Sequence, residues 1–121
     1  MLPSLDEALR LFNRADFFEA HEALEDLWRD VPLANPAKRH VQGLVQLAVA
    51  LHHESRGNLP GARSVLERAM CNLAGAELSF PDLDLQGLQY ELAAWQAYLA
   101  QRQQRPPLPQ IKRSAGNGNR G

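Results

Sequence analysis

Between Val41 and Leu51 the chain sets Val41, Leu44, Val45, Leu47, Ala48, Val49 and Leu51, which would cover well over half the circumference of a helix with apolar side chains. Such a helix has little surface to offer water. It must run through the middle of a bundle or lie at an interface between copies. The segments around it are its obvious neighbours, because each carries one apolar stripe at helical spacing and its own start and stop signals.

Ser4, with Glu7 closing a capping box, opens a helix expected over residues 5–14, whose stripe is Leu5, Ala8, Leu9 and Phe12. Asp16 with Glu19 repeats that signature and opens a second helix, striped by Phe17, Ala20, Leu24, Leu27 and Trp28 and ending near Asp30. Asn35 followed by Pro36 starts the central helix, and Gly57 stops it. Asn58 and Pro60 open a fourth helix with Ala62, Leu66, Ala69 and Leu73 inward and Gly75 as its stop. Asp84 caps a fifth, with Leu85, Leu88, Leu92, Trp95 and Leu99 in line. An all-α, compact five-helix bundle follows.

Helices one and two resemble helices three and four at an offset of 42 residues, where Arg14, Ala20, Leu24 and Glu25 align with Arg56, Ala62, Leu66 and Glu67. That period falls in the range of helical-hairpin repeats. The expected architecture is therefore two tetratricopeptide-like hairpins plus a C-terminal helix. At 121 residues, with 45% hydrophobic and 22% charged, the chain has the size and balance of a single domain, placed at residues 1–104. Residues 105–121 read RPPLPQIKRSAGNGNRG, a basic Pro/Gly-rich stretch expected to be a flexible tail.

The formal net charge is −1, and the tail holds four cations (Arg105, Lys112, Arg113, Arg120) and no acid, so the body carries −5. An acidic body is a poor polyanion binder, which confines nucleic-acid contact to the tail. One cysteine, Cys71, excludes an internal disulfide framework and suits a reducing compartment. No apolar run is long enough to span a bilayer. A cytoplasmic protein with no membrane partner is expected.

Chemistry concentrates on the second helix. His21 falls on its apolar side and Glu25 lies one turn on, so both can reach one point, with Glu22 further round. That spacing resembles the HExxH arrangement, with a carboxylate in place of the second histidine and Glu22 where the general base stands. With His53 or His52 from the central helix, His21 and Glu25 could ligate a divalent metal such as zinc, manganese or iron. A structural reading competes: His21, Glu25 and Gln46 as a hydrogen-bonded network joining the second and third helices. Glu25 and Arg29 are spaced for an ion pair, and Trp28 and Trp95 are expected as core anchors.

Phe12-Asn13, Phe17 to Glu22, Leu24-Glu25 and Trp28-Arg29, with Gln42 to Leu44, Gln46, Ala48 to Ala50, His52-His53, Gly57-Asn58 and Gly61-Ala62, resemble the signature of a small family of bacteria, archaea and plastids known as domain of unknown function 309. The resemblance covers about residues 5–73 and implies a small helical bundle with no assigned reaction. Its polar signature lands on His21, Glu22, Glu25, Arg29, Gln46 and His53. No role comes with those positions.

The leading expectation is a non-enzymatic binding or structural module, paired with a protein partner or a second copy. One alternative is a metal-dependent hydrolase with Glu22 as catalytic base, His21, Glu25 and His53 as ligands, and Arg29 and Gln46 at the same site. The other is nucleic-acid contact through the C-terminal tail.

Overall fold

The computed structural model describes residues 3–114, with side chains from Leu5 onward. In chain order it contains α1 (Pro3–Asn13), α2 (Phe17–Asp30), α3 (Ala37–Ser55), α4 (Leu59–Asn72), a single 3-10 turn (Ala76–Leu78) and α5 (Leu85–Leu99). The protein is an all-α bundle of five helices among these residues. The capping expected of Ser4 lies outside the described side chains.

The apolar helix takes the central place. α3 packs along both α2 and α4, while α1 packs along α2 and α5 along α4. Leu44, Leu47 and Ala48 are fully buried and Val41, Ala50 and Leu51 nearly so, because helices lie on either side of them. The aligned pairs of the repeat, Ala20 with Ala62 and Leu24 with Leu66, are all buried in the common core. α3 and the end of α4 approach closely at Gly43, where a Cβ would meet the side chain of Leu73, the residue that follows α4, at 2.8 Å and its backbone nitrogen at 3.1 Å. Only glycine lets the two backbones come so close.

Most helix ends follow the local signals. Asn58 and Asp84 accept from the backbone N–H groups of Gly61 and Gly87, each at 3.0 Å, as N-caps do. Asn35 accepts from Ala37 at 2.9 Å, at the start of α3. Gly57 takes φ 83° just past the end of α3, the left-handed conformation expected of a helix stop. Asp16 differs. It precedes α2 without a side-chain capping bond and instead pairs with Arg14 at 3.1 Å.

The largest departure from expectation is the segment after α5. Residues 105–114 are not a free tail but a strap laid across α5 and α1, with Pro109 and Ile111 buried. Trp95 Nε1 donates to the Pro107 carbonyl at 2.8 Å, and Asn13 and Ile111 exchange two hydrogen bonds at 2.8 and 2.9 Å. Leu83 and Arg113 form an isolated antiparallel bridge, with Asp84 donating to the Lys112 carbonyl at 2.8 Å. Proline blocks helix but not burial: the extended strap satisfies its polar backbone through Trp95, Asn13 and the segment before α5. Residues 115–121, the rest of the expected tail, lie outside the described residues.

Candidate functional site

α2 presents its polar signature along the edge it shares with α3. His21 and Glu25, one turn apart, bring Nε2 and Oε2 to 3.4 Å. Glu25 also lies 3.8 Å from Arg29, whose guanidinium donates to Asp26 at 2.5 Å. The expected Glu25–Arg29 pair is therefore present, as one link in a chain of charges along the helix surface. Glu22 is exposed.

The remaining members of the expected site point elsewhere. Gln46 accepts from the Asn72 side chain at 2.7 Å, which ties α3 to α4 and not to α2. His53 lies 3.4 Å from the Asn58 amide at the start of α4. His52, expected on the apolar stripe, is the histidine that faces α2. Among the described residues, no three His, Cys, Asp or Glu side chains gather closely enough to hold a metal ion. His21, Glu25 and His53 therefore do not form one cluster among the described residues. The buried network of His21, Glu25 and Gln46 is not formed either, because α3 turns Gln46 toward α4.

What α2 and α3 do bring together is aromatic. The Phe18 ring, 49% exposed, sits between two imidazoles, with centroids 6.1 Å from His21 and 5.7 Å from His52. Its neighbour Phe17 is buried edge-on against Phe12, with centroids 5.3 Å apart. The FF pair thus divides its work between core and surface. α2 is acidic along its length, with Glu19, Glu22, Glu25, Asp26 and Asp30 against one cation, Arg29, and Glu22 lies one turn from Phe18. Trp28, at the far end, is partly buried and takes Lys38 Nζ over its ring at 3.7 Å.

Among the described residues, two titratable side chains are buried, both on α3. Glu54 accepts from Arg105 Nε at 2.8 Å, from a terminal Arg105 nitrogen at 3.1 Å and from the Tyr98 hydroxyl at 2.9 Å. The Arg105 hydrogen bond, helped by that of Tyr98 and opposed by burial, holds the Glu54 carboxyl below its usual range, and the same carboxylate pushes the Tyr98 phenol up. His40 is 2% exposed, with Nδ1 at 2.6 Å from the Ser79 hydroxyl. Burial first, then the charge of Arg39, lowers its pKa. The sequence does contain a signal for both. His40, Leu44, Leu47, Leu51 and Glu54 fall on one side of α3, so each polar residue terminates the most buried stripe of the protein.

Of the four tail cations, Arg105 is bound to Glu54 and Arg113 to Asp6, which removes half of the charge expected to meet nucleic acid. No helix among the described residues is long and apolar enough to cross a membrane.

The family model described as "Domain of unknown function (DUF309)" matches residues 5–65, α1 to the first turns of α4. The uncharacterized protein YpuF of Bacillus subtilis (strain 168) is 35% identical over 81 residues, 67% of this chain and 46% of that protein. An uncharacterized protein of Aquifex aeolicus (strain VF5) is 32% identical over 81 residues, 67% of this chain and 24% of its own length. This chain therefore spans about half the length of one relative and a quarter of the other.

Proposed function

This chain belongs to the family described as "Domain of unknown function (DUF309)", and on that premise we propose that it is a non-enzymatic docking module. Its contact surface is the edge of α2 and α3 centred on Phe18. The observation that carries this reading is the half-exposed Phe18 ring held between His21 and His52. A large apolar ring stiffened by two neighbours and left in contact with water is the kind of anchor that protein interfaces use. The flanking charges define the partner: a protein segment with an apolar side chain to cover Phe18 and a Lys or Arg to face Glu22. The lengths of the relatives support a module, since in both proteins the matched region is accompanied by further chain.

The test is a photo-crosslinking amino acid placed at position 18 in living cells, with position 90 as control. Tyr90 is 83% exposed and lies on α5, outside the family match. A discrete protein adduct is expected at 18 and not at 90, reduced by His52→Ala and by reversing the charge of Glu22. Equal labelling at the two positions, or none at 18, would remove the surface from consideration.

A further inference from the structure

The strap leaves α5 through a turn that its own residues do not favour. Ala100, Gln101, Arg102, Gln103 and Gln104 are good helix formers, and the first proline is Pro106. Yet α5 stops at Leu99, and Gln101 takes φ 63°, a left-handed conformation that disfavours any residue with a Cβ other than Asn or Asp. No glycine makes this reversal easy. The turn makes two backbone hydrogen bonds of its own, from Gln101 to the Tyr98 carbonyl at 2.8 Å and from Arg102 to the Ala97 carbonyl at 2.9 Å. It is held further downstream, where Arg105 grips Glu54, Trp95 holds Pro107, Asn13 pairs with Ile111 and Pro109 is buried. Local preference would continue α5 through residues 100–104, about 7.5 Å further at 1.5 Å per residue, and carry the strap away from its own groove. Local and tertiary preferences therefore oppose each other over these five residues.

We propose that the groove between α5 and α1 is a docking site for the strap of a second copy of this chain, giving a strap-exchanged dimer. In that dimer α5 runs on through Gln104, and residues 105–114 seat on the partner with the contacts they make within one chain. The occupant is defined by the groove itself, which already fits this segment: a carboxylate for Arg105, an indole N–H for Pro107 and an amide for Ile111. Exchange keeps these strap contacts, replaces the two backbone bonds of the turn with those of a continued helix and relieves Gln101; against it stands the entropy of association, so the dimer gains as concentration rises. The surface around Phe18 plays no part, and the two proposals stand or fall separately.

The experiment is refolding of the full chain from denaturant at low and high concentration, with mass read by light scattering. Wild type is expected to give monomer when dilute and a dimer fraction when concentrated. Gln101→Gly, which makes the left-handed turn easy and the extended helix poor, should lower that fraction several-fold. Phe18→Ser should leave it unchanged. A pair of charge variants provides a second readout. Glu54→Arg and Arg105→Glu each set like charges together within one chain, whereas an exchanged heterodimer of the two restores both ion pairs. Co-refolded in equal amounts, they should give a 1:1 heterodimer by native mass spectrometry. The proposal is overturned if wild type stays monomeric at high concentration and the charge variants show no preference for each other. A dimer insensitive to Gln101→Gly but lost with Phe18→Ser would also overturn it.

Discussion

Arg105 holds Glu54 across 51 residues of sequence with two hydrogen bonds, one from Nε and one from a terminal guanidinium nitrogen, to the two oxygens of the carboxylate. The pair joins the strap to the end of the central helix. The Glu54 side chain is 7% exposed and that of Arg105 48%, so the carboxylate depends on this partner more than the guanidinium does.

Arg105→Ala leaves Glu54 buried with only the Tyr98 hydroxyl, and should cost about 1.5–3 kcal/mol, the range for a lost hydrogen bond to a charged group. Glu54→Gln, which keeps an acceptor for Tyr98 and removes the charge, should cost less. Urea unfolding monitored by tryptophan fluorescence measures both, since Trp95 lies beneath the Arg105 guanidinium at 5.2 Å. An unchanged midpoint in Arg105→Ala would show that the strap is held without this pair.

The same pair should make strap docking sensitive to acid. Arg105 holds the folded Glu54 below the usual carboxylate range, so as pH falls the unfolded chain takes up the proton first. The stabilisation is complete above the unfolded value of about 4.3 and is lost as pH falls through the lowered folded value. The stability gap between wild type and Arg105→Ala is therefore expected to be flat from neutral pH to about 5 and to close below about 4. A gap that persists at pH 2 would assign it to packing of the arginine stem.

His40 should give a second pH dependence in a different window. Its folded pKa is lowered by burial and by Arg39, so the native state holds it neutral and the unfolded chain is protonated first. Its contribution is full above about 6.5 and is lost as pH falls through the folded value. Wild type should lose stability between pH 7 and 5, and His40→Gln, less stable at pH 7, should show a flatter curve. Parallel curves for the two proteins would be the contrary result.

Phe17 and Phe18 are adjacent in sequence and should behave oppositely. Phe17→Ala removes a ring that is 5% exposed and should cost about 3–5 kcal/mol. Phe18→Ala removes one that is half outside, and its cost should stay below about 1 kcal/mol. Chemical denaturation of the two variants checks this contrast. Similar losses would mean that Phe18 serves the core, which would undercut its role as a docking anchor.

Gly43→Ala places a methyl group against Leu73. Overpacking should outweigh the gain of about 1 kcal/mol in helix propensity, for a net loss of up to about 2 kcal/mol. Adding Leu73→Ala should restore part of that loss, so the double variant should fall short of the sum of the two single ones. Additive effects would separate the two positions.

The helices were largely legible because their signals are local. Asn58, Asp84 and Gly57 act where their residue types direct, and the stripe of Val41, Leu44, Leu47 and Leu51 demanded neighbours on several sides. The candidate site was legible only in part. Spacing within one helix placed His21 beside Glu25 correctly, since i and i+4 share a face whatever surrounds them. Spacing could not say which of His52 and His53 meets α2, because that depends on how α3 is rotated in the bundle. Glu54 and His40 were not singled out from the sequence, although each ends an apolar stripe of α3, because their partners Arg105 and Ser79 come from 51 and 39 residues away.

By itself the sequence determined the number of helices and most of their ends, and it narrowed α3 to the middle of the bundle or an interface between copies, because apolar periodicity and end-capping chemistry act over a few residues. Tertiary structure decided the rest. It turned Gln46 to Asn72, set Phe18 between His21 and His52, and drew the proline-rich segment into the core against Trp95 and Asn13. A residue's own preferences say whether it can be buried or paired, whereas its actual partner depends on the rotation and offset of packed helices, which only the whole bundle sets.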